Sequence, residues 1–298
     1  MNGRDNRMEL FARTSYLSSD PIGMKLPLRY WIAGFFFIEL VWTFVGGAVT
    51  YLSMEGTRDF PWSSASWTMY LNQHVNFLVL FAAVAFFAHA VVRIPLRRYV
   101  TDAPQFRWKL FWFAALVWLV GIGIATIVTI VIEPQAVMVN TTNRLWDRLL
   151  LMTLALVFTP LQCIAEELLF RTTLWRMLGP RLRRTWIVGT ISGIVFTVAH
   201  LSNVEVQSTS FSLPILLYYF LSGVLFMEMT RSQRGTEAAF GAHIANNLFL
   251  VLVVNYSGSS LPSDPWLIQQ APVIWLDLMV LVVCSHIIIR YGSSTRFQ

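Results

Sequence analysis

Eight apolar runs separated by short polar connections occupy most of the chain. They fall at about residues 30–53, 75–92, 110–132, 149–170, 185–203, 213–229, 238–256 and 272–289. Crossing ~30 Å of hydrocarbon takes about 20 helical residues, and these runs meet that length or approach it. Their backbone polar groups have no water to bond within lipid, so helices are the economical solution. The pattern predicts an all-α membrane protein with eight transmembrane helices.

Every second connection is basic. The N-terminal tail holds Arg4, Arg7, Arg13, Lys25 and Arg29, and the second connection holds Arg93, Arg97, Arg98, Arg107 and Lys109. The fourth holds Arg171, Arg176, Arg181, Arg183 and Arg184, the sixth Arg231 and Arg234, and the C-terminal tail Arg290 and Arg296. Of the 22 Lys and Arg, this leaves only Arg58, Arg144 and Arg148 for the other side. Because cytoplasmic loops collect positive charge, both termini are expected in the cytoplasm.

Composition agrees with a membrane setting. The 298 residues are 56% hydrophobic and 13% charged, with mean hydropathy +0.57, against about 25% charged in soluble domains. The net charge of +6 is explained by loop topology and does not call for nucleic acid. Cys163 and Cys284 both lie in apolar runs, where thiols act as small apolar side chains and no structural disulfide is expected. Trp31, Trp62, Trp67, Trp108, Trp146, Trp186 and Trp266 fall near run ends, as an aromatic belt requires. The first apolar run follows a polar tail of nearly thirty residues and is expected to remain as a span. No linker or repeat interrupts the series, so residues 1–298 are expected to form one polytopic domain.

Against this background the stretch AEELLFR stands out. Glu166 and Glu167 end a run of uncharged residues, where a carboxylate costs roughly 2.5–3.5 kcal/mol on insertion scales. Glu167 and Arg171 are spaced i and i+4 in the favourable order for an ion pair, while Glu166 points about 100° away. The spacing therefore predicts Glu167 anchored by Arg171 and Glu166 facing a cavity as a general base. Taken alone, the stretch serves equally well as a charged cap at a helix end. Pro160 and Thr159, just upstream, make a local bend as plausible as an ordinary tolerated proline.

Two other runs supply partners. Gly189, Gly193, Phe196 and His200 share one helical face, and small residues on that face let a neighbouring helix approach closely. His200 is thereby directed into the bundle. His243 and Asn247 share a face one turn apart. Counted from the cytoplasmic ends of their helices, the three groups sit at nominal depths differing by roughly 10–15 Å at 1.5 Å per residue. Glu39, Asp277, His286 and Glu228 are also ionisable groups in or beside apolar runs, and they are left outside the site.

These residues resemble the CPBP intramembrane proteases, which include type II CAAX prenyl endopeptidases and the Abi bacteriocin-processing and immunity proteins. The family pattern is EExxxR, then FxxxH, then HxxxN in successive membrane helices. Here the motifs are Glu166, Glu167 and Arg171; Phe196 and His200; and His243 and Asn247, all within a catalytic core at residues 145–256. The resemblance implies an endopeptidase in the membrane, acting on a membrane-associated peptide or protein, including lipidated ones. Glu166 with His200 would activate water, and His243 and Asn247 would hold the oxyanion.

The family is also labelled metalloprotease, and Glu166, His200 and His243 could supply three ligands to zinc. HExxH is absent, and the reading without a metal is preferred. Two alternatives remain. One is a non-proteolytic immunity or scaffold protein of the same fold; the other is a transporter using Glu and His for proton coupling. A bacterial plasma membrane is expected as the location, with the cavity opening toward the cytoplasm.

Overall fold

The computed structural model describes residues 22–141, 145–207 and 212–292. Arg4, Arg7, Arg13, Arg144 and Arg296 lie outside the described residues. Among the described residues, eight principal helices stand where the apolar runs are: α1 (Leu28–Thr57), α2 (Ser66–Val91), α3 (Trp108–Ile132), α4 (Leu145–Leu178), α5 (Thr185–Ala199), α6 (Ser212–Gln233), α7 (Glu237–Leu252) and α8 (Ile274–Gly292). Among the described residues, six are long and apolar enough to cross a membrane, whereas α5 and α7 are shorter. The run expected to continue to 256 leaves its helix at Leu252 and becomes a strand, β2 (Val254–Tyr256).

The outward faces read as lipid-facing surface. On α3, Trp112, Leu116, Val120, Ile124, Ile127 and Val131 recur at steps of three and four, and all are exposed. An apolar stripe left open to the surroundings in this way belongs against hydrocarbon. These helices make the chain an integral membrane protein.

Inside the bundle, α4 packs against α2 and α7, α7 against α3, α3 against α8, α8 against α6, and α6 against α5. Close approach of α5 and α6 depends on glycine. A Cβ on Gly223 would lie 2.8 Å from the Ser192 carbonyl oxygen, and one on Gly193 would lie 2.8 Å from that of Phe220. Backbone on the far side cannot yield as a flexible side chain can. Gly223→Ala is therefore expected to lower thermal stability in detergent by about 1–3 kcal/mol through overpacking, and an unchanged melting curve would contradict this packing.

Pro160 lies within the uninterrupted helical stretch Leu145–Glu167, and the irregular turn comes later, at Leu168–Thr173, where α4 widens to a π-helix. Thr159 is tied across the bundle to Tyr70, hydroxyl to hydroxyl at 2.6 Å. π-turns inside α-helices are frequent at functional sites because they re-aim side chains. This one begins one residue after Glu167.

Two tryptophan and arginine assignments change. Trp31 is fully buried, stacks on Tyr99 and donates to the Gly23 carbonyl at 3.0 Å, so it is a core residue and not part of an interfacial belt. Arg148 is buried against Asp264 and donates to the Asn140 carbonyl at 3.1 Å. Its charge is neutralised locally, which removes it from the sparse set opposing the basic loops. On that same side, β1 (Val137–Val139) pairs antiparallel with β3 (Leu267–Gln269), and β2 pairs parallel with β3, giving a small sheet in the order β1-β3-β2.

Candidate active site

A cavity of about 570 Å3 lies within the bundle. Glu166, Arg171, Phe196, His200, His243 and Asn247 all line it, whereas Glu167 does not. The three motifs thus meet in one place, with the two adjacent glutamates turned to different surroundings.

Glu167 is fully buried behind the cavity wall. One oxygen accepts from His243 Nδ1 at 2.9 Å, and the other lies 3.3 Å from Arg171 Nε. The Arg171 pair is close in charge but lies outside hydrogen-bonding geometry, since neither Arg171 Nε nor Glu167 Oε2 has a hydrogen-bond partner. The guanidinium is held by other contacts as well. It lies 4.1 Å from the Phe196 ring centroid and 5.5 Å from that of Phe226, and donates to the Ser222 carbonyl at 3.3 Å. Cation–π contact in a dry setting is worth about 2 kcal/mol, so Phe196 does more than space the FxxxH motif. Being fully buried, Arg171 is not a loop charge and takes no part in membrane orientation.

Glu166 has lighter ties. Gln162 Nε2 donates to its Oε1 at 3.0 Å, and His243 Nε2 lies 3.9 Å from its Oε2. Gln162 belongs to none of the three motifs, yet its position one helical turn before Glu166 is a signal visible in the sequence. His74 in turn contacts Gln162 Oε1 at 3.0 Å, so a chain of polar groups from α2 orients the carboxylate.

Both histidines have one ring nitrogen committed. His200 Nδ1 lies 2.7 Å from the Phe196 carbonyl oxygen, an acceptor only, so Nδ1 carries the hydrogen and Nε2 is left as an acceptor. The ring stacks on Tyr219 with centroids 4.4 Å apart. Tyr219 donates to Glu205 at 2.5 Å, and Ser260 Oγ donates to the same carboxylate at 2.8 Å. For His243, the carboxylate of Glu167 places the hydrogen on Nδ1 by the same logic.

Asn247 is oriented by a relay. Trp118 Nε1 donates to Asn246 Oδ1 at 3.1 Å, and Asn246 Nδ2 donates to Asn247 Oδ1 at 3.0 Å. With its oxygen occupied, Asn247 presents its Nδ2 amide as the group left to donate. If the cavity is a reacting centre, Asn246→Leu should lower its turnover by up to about 100-fold while leaving α7 folded, since small misplacements there carry costs of that size. Unchanged turnover in purified protein would show that the relay is ornamental.

The depth conflict disappears because α7 does not start at a surface. Thr236 and Glu237 are fully buried, and Glu237 pairs with Arg107 at 2.8 Å. Counting inward from that end therefore understated how deep His243 lies. Glu39 and Asp277 also line the cavity, as does Glu205; Glu228 instead pairs with Arg231 near the end of α6. Cys163 is buried and not disulfide-bonded.

Among the described residues, no three His, Cys, Asp or Glu side chains are grouped as a metal ion would need. Two of the histidine nitrogens are already used, by Phe196 and Glu167. No step below runs through a metal.

Apolar helices enclosing a cavity lined by glutamate and histidine define an integral membrane protein with a buried polar site. Residues 146–249 match the family described as type II CAAX prenyl endopeptidase Rce1-like, a match that supports a likeness to the CPBP/CAAX proteases. The chain is also similar to the uncharacterized protein YyaK of Bacillus subtilis (strain 168), 26% identical over 236 residues that cover 76% of this chain and 77% of that protein. No solved structure matches it.

Proposed function

We propose that this protein is an intramembrane endopeptidase of eight spans with cytoplasmic termini, resident in a bacterial plasma membrane. The observation that carries this reading is the division of the glutamate pair. Glu167 is occupied by His243 and Arg171 outside the cavity, whereas Glu166 lines it together with His200, His243 and Asn247.

In the proposed reaction Glu166 takes a proton from water, which His200 Nε2 helps to orient as an acceptor. The hydroxyl oxygen bonds to the scissile carbonyl carbon, and the carbonyl oxygen becomes an oxyanion. Asn247 Nδ2 donates to it, as does His243 through Nε2 when that nitrogen is protonated. Glu166 then delivers its proton to the amide nitrogen, the C–N bond breaks, and a carboxylic acid and an amine are released. Water supplies both the oxygen and the proton, so no Ser or Cys nucleophile is used. The substrate is a membrane-associated peptide or protein.

Comparison of membrane peptides from cells carrying the wild type or Glu166→Gln tests this reading. A product present only with the wild type identifies both activity and substrate; identical peptide pools from two well-folded proteins would overturn it. Once a substrate is known, a strong chelator should leave turnover unchanged. Loss on chelation with recovery on added zinc would instead favour Glu166, His200 and His243 as a ligand set.

A further inference from the structure

The cavity is not bounded evenly. From Glu166 it runs past Gln73 near the start of α2 and Thr129 near the end of α3, then past Ser202, Tyr256, Ser260 and Gln269. All of these lie toward the ends of the helices, or in the connections, opposite the Arg- and Lys-rich loops. Apart from the buried Arg171, no residue of the basic connections lines it among the described residues. The expectation of a cytoplasmic opening is thus not met by the lining.

On the basic side the site is closed by a buried polar layer. Arg107 pairs with Glu237, Thr172 bonds to Thr236 at 2.7 Å, and Tyr99 bonds to Thr173 at 2.8 Å. Arg176 donates to the Tyr99 carbonyl at 3.3 Å and pairs with Asp102 at 2.9 Å. Opening a path through this layer would break several buried, mutually satisfied contacts, each costing about 1–3 kcal/mol when left unmade. At the opposite end the boundary consists of short connections and a three-stranded sheet. To the side, α1 and α3 both contribute walls without forming a packed pair.

The cavity wall also has a sign. Glu39, Glu205 and Asp277 line it beyond the catalytic group, and Arg171, among the described residues the one Lys or Arg in the lining, is already committed to Glu167 and Ser222. Low-dielectric walls carrying one sign of charge raise the local concentration of the opposite sign.

Resting on the endopeptidase reading for the word substrate, we infer that the Glu166 cavity is entered from the extracytoplasmic side and receives a cationic polypeptide segment there. By the loop-charge rule the face opposite the basic connections is extracytoplasmic. The substrate class is then an exported or membrane-spanning peptide with positive charge near the scissile bond, and not a tail confined to the cytoplasm.

Thiol labelling tests this without any turnover, so it fails or succeeds independently of whether Glu166 cleaves. Ser202→Cys at the mouth and Thr126→Cys within the cavity would each be exposed to membrane-impermeant methanethiosulfonates, on intact cells and on inside-out vesicles. Lys109→Cys marks the basic side, and the wild type, whose two cysteines are buried, serves as the blank. Both cavity thiols should label from intact cells and Lys109→Cys only from vesicles. Labelling of Thr126→Cys only from vesicles, or from neither side, would overturn the access route. At Thr126→Cys, the trimethylammonium reagent should react about tenfold faster than the sulfonate reagent relative to their rates with a free thiol. Glu39→Gln with Asp277→Asn should erase that ratio. Equal rates in the parent, or a ratio untouched by the double variant, would overturn the charge preference.

Discussion

Glu166→Gln should abolish peptide cleavage, by about 100- to 10,000-fold in kcat, while the protein stays folded and inserted. That range is what a positioned acid–base group contributes. The amide keeps the size of the carboxyl group and can still bond to Gln162, so packing is nearly preserved. What it loses is the ability to take a proton from water and return it to the leaving amine. Glu167→Gln has a different consequence, since Glu167 lies outside the cavity and balances Arg171. Its effect should fall on stability and on the placement of His243. Equal kinetic loss in both variants, with equal stability, would show that the two glutamates are not divided in role.

The second large effect is expected at Arg171. Arg171→Ala should cost about 3–5 kcal/mol of stability, because it strands the fully buried Glu167 carboxylate without its counter-charge. Thermal unfolding in detergent would register it directly. Arg171→Met combined with Glu167→Gln should recover part of the loss, as replacing a buried pair removes the desolvation penalty along with the attraction. Recovery should be incomplete, since Phe196 and Phe226 lose a cation between their rings and the Ser222 carbonyl loses its donor. If Arg171→Ala melts like the wild type, the pair is not holding α4 against α5 and α6.

Much of the site could be read directly from spacing. Glu167 and Arg171, Phe196 and His200, and His243 and Asn247 are each four residues apart, and helical periodicity brings such pairs onto one face. Gln162 obeys the same rule relative to Glu166 and lay within reach of the same reasoning. Asn246, Trp118, Tyr219 and Glu205 did not. Trp118, Tyr219 and Glu205 act from other helices or loops, at sequence separations that no local period reports, and Asn246, although beside Asn247 on α7, is fixed by Trp118 of α3. Apparent membrane depth failed for a related reason: distance from a helix end measures depth only when that end is at a surface, and the start of α7 is buried against Arg107.

The order of letters alone was enough for the membrane character of the chain, the places of its helices and the three four-residue pairs that had to be accounted for. Hydropathy and helical period are local properties, and local properties survive in one dimension. Which glutamate meets the cavity, which nitrogen of His243 remains available, and which face of the bundle is closed were decided by tertiary packing. Those outcomes depend on what stands opposite each side chain. His243, from α7, takes Glu167 of α4, and the layer around Glu237 closes the basic side.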